Sequence, residues 1–125
     1  MFRNKELRVI LSEEANEQYK ELNKLVGEEI KRGINSSEHQ TLLRSINRAI
    51  ELIKNNPFVG IQIPKKQIAL KYVTEYEISN LWKIDLSNYW RLIYTIKGEE
   101  IRITSFVLDI MDHKTYNRLF GYKSK

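Results

Sequence analysis

The stretch NLWKIDLSNYWRLIYTI, residues 80–96, fixes how the second half of this chain folds. It reads as two strands around a turn, and only one register sorts its side chains. A two-residue turn pairs Leu86 with Tyr89 and sets Ile84 opposite Arg91, so apolar and charged residues share each face. A three-residue turn of Ser87, Asn88 and Tyr89 pairs Leu86 with Trp90, Asp85 with Arg91 and Lys83 with Ile93. Trp82, Ile84, Leu86, Trp90, Leu92 and Tyr94 then lie on one face, and Lys83, Asp85 and Arg91 on the other. A slip of one residue moves every side chain to the opposite face, so the sorted register is predicted. It requires a left-handed backbone at Asn88 or Tyr89, which Asn tolerates better. The second face is expected to be polar and open, with Asp85 and Arg91 at least a cross-strand ion pair.

Before this hairpin, Leu7, Val9 and Leu11 alternate in a strand over Glu6–Leu11. Ser12 then offers an N-cap, with Glu13 and Glu14 in the first turn. Ala15, Tyr19, Leu22, Val26 and Ile30 recur at helical spacing until Gly33. Ser36 or Ser37 caps a second helix striped by Leu43, Ile46, Ile50 and Ile53, which Asn55, Asn56 and Pro57 stop. The two helices form an antiparallel hairpin whose stripes need an apolar cover, and the sorted face of residues 80–96 supplies one. Residues 61–64 read as a short extended piece, and 65–77 as a short helix or an ordered loop. A third strand is predicted over 100–108, a closing helix from Asp112 to Phe120, and a loose tail over 121–125. The pattern is that of a single α+β domain over residues 1–125, with an N-terminal strand, a helical hairpin, a three-stranded antiparallel meander and a short C-terminal helix.

The 125 residues carry 21 Lys and Arg against 16 Asp and Glu, a net charge of +5 that suits a polyanionic partner or an ordinary basic surface. There is no Cys, and His39 and His113 are the two histidines, so disulfides, thiolate chemistry and a Cys- or His-rich metal site are excluded. No apolar run could span a bilayer, and Arg3, Lys5, Glu6 and Arg8 interrupt any secretory segment. A cytoplasmic protein without metal or cofactor is expected.

Arg91-Leu92-Ile93-Tyr94, following a basic strand and a tight turn, resembles the core of the RelE/ParE toxin superfamily. Asn56-Pro57-Phe58 with Gly60 is similar to the turn after the second helix in YoeB-like members. His113-Lys114-x-Tyr116 and Leu119-Phe120 resemble the family's C-terminal segment. The motifs cover the second half of the chain, and the strand–helix–helix order of the first half agrees with them.

The resemblance implies the toxin of a toxin–antitoxin pair: either an endoribonuclease cutting mRNA at the ribosome without a metal, or a gyrase inhibitor. A cognate antitoxin with an acidic face would be its partner. In the nuclease, the 2′-hydroxyl attacks the phosphate, which requires a base, cations and an acid for the leaving oxygen. Arg91 matches the arginine that stabilises the phosphorane, and Lys83 matches the first lysine of the basic strand. The second basic position falls on Asp85, a departure. Asp85 is a candidate carboxylate base, and Lys65 or Lys66 could restore the missing charge. His113 is the candidate acid, since imidazole titrates near neutrality. Tyr116 is a candidate for stacking on a base or donating a proton, though Tyr116 and Phe120 also have the spacing of core contacts. Lys65, Lys66, Lys114 and Arg118 are the expected RNA-binding cations. A member that only binds a partner is the third possibility, and Asp85 is the residue that favours it.

Overall fold

The computed structural model describes residues 5–76, 78–99 and 102–120. Glu77, the predicted strand start at Glu100 and the tail 121–125 lie outside them.

The chain runs β1 (Glu6–Leu11), α1 (Glu13–Lys31), α2 (Glu38–Asn55), β2 (Ile61–Gln62), α3 (Leu70–Tyr76), β3 (Trp82–Asp85), β4 (Arg91–Gly98), β5 (Arg102–Met111) and α4 (His113–Phe120). The five strands form one sheet in the order β1-β5-β4-β3-β2. Strands β2, β3, β4 and β5 pair antiparallel with one another in turn, whereas β1 pairs in parallel with β5, Glu6 opposite Arg102 through Leu11 opposite Val107.

The sorted register is the one observed: Trp82 faces Tyr94, Lys83 faces Ile93, and Asp85 faces Arg91. Leu86 N–H donates to the Trp90 carbonyl at 2.8 Å and closes the three-residue turn. Both Asn88 (φ 53°) and Tyr89 (φ 64°) are left-handed, where one such residue was required. Strand β3 begins at Trp82 rather than at residue 80 because the Asn80 side chain takes the ladder's place. Its amide donates to the Ile96 carbonyl at 2.9 Å and accepts from Ile96 N–H at 2.9 Å.

Ser12 and Ser37 cap α1 and α2, accepting from Ala15 N–H and Gln40 N–H. The connector is tied by Glu29, which accepts from the Ser37 hydroxyl and from Gln40 Nε2 at 3.1 Å, with His39 Nδ1 at 3.0 Å. These bonds hold the Glu29 carboxyl below its ordinary value, Ser37 contributing most. The hairpin stripes bury Ala15, Leu22, Val26, Ile46 and Ile53 against Leu86, Leu92, Tyr94, Val107 and Ile110, with Trp82, Ile84 and Trp90 packed at the margin.

The second face of the sheet is not open. Leu81, Ile93, Leu108 and Met111 project there, and α3 and α4 cover them with Tyr72, Tyr116 and Phe120. The strand pairing explains this: Ile93 lies opposite Lys83, so it shares the face that the charged residues mark. A bulge adds to it. The register shifts between Ile93 opposite Asp109 and Tyr94 opposite Val107, leaving Leu108 as the extra residue. Leu108 and Asp109 thereby both serve the second face, and Ile110 returns to the first. Buried Asp109 accepts from the Tyr72 hydroxyl and from Lys71 Nζ, each at 3.0 Å, which pins α3 to β5.

Candidate functional site

The charged end of the hairpin is built around one carboxylate oxygen. Asp85 Oδ1 lies 2.9 Å from Lys83 Nζ and 2.9 Å from Arg91 Nε. The lysine donates a hydrogen bond; Arg91 Nε is close enough for an ion pair but is not aligned to donate one. Strand geometry forces the cluster, because Lys83 and Asp85 are two apart on β3 and Arg91 faces Asp85.

Tyr116 roofs both cations. Arg91 Cζ is 5.1 Å and Lys83 Nζ 5.7 Å from its ring centroid, and Phe120 stacks on it at 4.6 Å. The tyrosine is 3% exposed, and the Arg91 side chain 13%. Arg91 is therefore not the open-strand cation that the alternation suggested; α4 folds over it. The Asp85 side chain, 54% exposed, is the part of the cluster that meets solvent.

His113 belongs to the same end of the molecule. It opens α4, two residues after Met111, which faces Arg91 across the ladder. Asp112 caps this helix by accepting from Thr115 N–H at 2.9 Å, and that bond chiefly holds its carboxyl low. The exposed His113 ring lies 5.7 Å from the Tyr89 ring, and its Nε2 is 3.2 Å from Asn117 Nδ2. The Tyr89 carbonyl in turn accepts from Arg91 Nη1.

The fold thus gathers Lys83, Asp85, Arg91 and Tyr116 directly, and His113 through Tyr89. It does not gather the other cations. Lys65 and Lys66 follow β2 past Ile63, which bonds to Leu81, and so lie beyond the end of β3 remote from Asp85. Lys114 and Arg118 are exposed on α4, one turn apart, on the stripe opposite Tyr116 and Phe120. Lys71 is occupied by Asp109 and Glu14. Sequence reasoning left Tyr89 as a turn residue; an aromatic at a position needing positive φ was the signal that could have marked it.

A groove of about 640 Å³ lies elsewhere, walled by Ile10, Tyr76, Ile78, Asn80 and Phe106, and includes none of these site residues. Among the described residues no group of three or more His, Cys, Asp or Glu could hold a metal ion, and no helix is long and apolar enough to cross a membrane.

No family model and no curated protein matches the sequence. Among solved structures, a YoeB/ParE toxin from Agrobacterium tumefaciens is similar, with a TM-score of 0.53 and 16% identity over 85% of this chain and 98% of that one. On that ground the chain has a RelE/ParE toxin-like fold.

Proposed function

We propose that this chain is the toxin of a toxin–antitoxin pair and that it cleaves mRNA at the ribosome with its own side chains. The observation that carries the reading is the placement of Asp85 Oδ1 2.9 Å from both Lys83 Nζ and Arg91 Nε. A carboxylate so held is anchored yet half in solvent, as a base for a 2′-hydroxyl needs to be. When RNA binds, Arg91 and Lys83 stabilise the charge that grows on the phosphate. His113 protonates the leaving 5′-oxygen, and a cyclic phosphate remains on the upstream fragment. Tyr116 is a positioning residue that holds the guanidinium in place. The net charge of +5 suits RNA, and equally an antitoxin with an acidic face. Such a toxin acts in the cytoplasm, where the ribosomes are.

A second reading rests on the same carboxylate. Asp85 already neutralises cations that a phosphate would need, which favours a ParE-like toxin that inhibits gyrase, or a member that only binds a partner. Incubation of the purified protein with ribosomes and mRNA separates these readings. Cleavage by the wild type, lost in His113→Gln, is expected. No cleavage together with inhibited gyrase supercoiling would select the second reading, and neither activity would leave partner binding.

A further inference from the structure

Tyr89 carries an unexplained cost. Two successive non-glycine residues, Asn88 and Tyr89, hold positive φ, and for tyrosine that conformation is strained. Such strain is ordinarily offset by burial, yet Tyr89 is 71% exposed. Glycine would make the same turn without strain. The ring is held in water at the end of the sheet where Arg91 and Asp85 lie, 5.7 Å from the His113 ring and inclined 51° to it. Backbone strain at an exposed aromatic beside a charged cluster points to use at a binding surface.

We propose that Tyr89, with His113 beside it, is the platform on which one unpaired nucleobase of the RNA stacks; this rests on the nuclease reading. Arg91 holds the Tyr89 carbonyl, so the residue that would grip the phosphate also sets the ring that grips the base. Tyr116 is unsuited to that task, because its ring is covered by Arg91, Lys83 and Phe120. A single strand is the fitting ligand, since bases in a duplex already stack on one another.

The test uses the full chain and short single-stranded RNA oligonucleotides, with affinity and urea stability measured together. Tyr89→Phe keeps the wild-type affinity. Tyr89→Gly binds on the order of tenfold more weakly while being at least as stable as the wild type. A series with one abasic site at each position reveals a single base whose removal weakens the wild type and not Tyr89→Gly. Unchanged affinity in Tyr89→Gly, or no sensitive position in the abasic series, overturns the platform alone. Absence of oligonucleotide binding by the wild type likewise overturns the platform, whereas the nuclease reading is overturned by absence of cleavage when the wild type is incubated with ribosomes and mRNA.

Discussion

The Tyr94 hydroxyl accepts a hydrogen bond from Gly60 N–H at 3.0 Å and donates one to the Pro57 carbonyl at 2.7 Å. One buried side chain on β4 thus closes the turn that leads from α2 into β2. A Cβ at Gly60 would stand 2.7 Å from both the Lys83 carbonyl oxygen and Tyr94 Oη, so no larger residue fits. Gly60→Ala should cost about 1–3 kcal/mol. Tyr94→Phe should cost a similar amount, about 1–3 kcal/mol, by leaving two backbone groups unpaired. Urea unfolding monitored by Trp82 and Trp90 fluorescence checks both.

Arg91→Ala should reduce stability as well as activity. The guanidinium is covered by the Tyr116 ring and its stem is buried, so the loss is packing and cation–π attraction, about 1–2 kcal/mol. Arg91→Lys keeps the charge but not the planar stack. It should recover less than half of that loss in the same unfolding assay.

Asp85→Asn separates binding from chemistry. Without the carboxylate, Lys83 and Arg91 are no longer neutralised, so affinity for single-stranded RNA at low salt should rise several-fold. Cleavage should fall by about a hundredfold or more, as expected for loss of a general base. Binding titrations and single-turnover cleavage with ribosomes measure the two effects. Equal cleavage by wild type and variant would remove Asp85 from the chemistry.

Asp109→Ala should cost about 2–3 kcal/mol, because the buried carboxylate accepts from Tyr72 and pairs with Lys71. Burial, and then the Asp109 carboxylate, pushes the Tyr72 hydroxyl well above the usual phenol range. Hydrogen exchange in α3 should speed up in this variant, while α1 and α2 keep their protection.

Acid should loosen the helical hairpin. The Glu29 carboxyl is held below its ordinary 4.5, first by the Ser37 hydroxyl and then by His39. A depressed carboxyl stabilises the fold above its unfolded value, and that contribution is lost as pH falls through the lower, folded value. Asp112 acts in the same direction from below 3.8. Urea midpoints at a series of pH values should fall on acidification below about pH 4.5 in the wild type, and less steeply in Glu29→Gln.

The hairpin register, the caps at Ser12 and Ser37 and the α+β order were legible because period-two and helical patterns report which face meets the core. The roof over Arg91 was not. Its signals lay in residues with two readings, Tyr116 and Phe120, whose spacing suits a core as well as a ligand. The bulge at Leu108 was also invisible, since the apolar run Phe106-Val107-Leu108 does not say which residue is the extra one until its pairing with β4 is known. The parallel pairing of β1 with β5 depends on contacts 96 residues apart, for which local pattern carries no information.

That last pairing bears on how the protein comes into being during synthesis. Strand β1 is made first, and the strand that receives it is the last of the sheet to be made. Ser12 must also await Val107 and Leu108 for its hydrogen bonds. Closing so long a loop is slow, and until then both helices carry an apolar stripe without its full cover. The roof of the charged cluster, α4, emerges later still. A nascent chain therefore has no assembled Arg91–Tyr116 surface until α4 has left the ribosome and folded over β3 and β4.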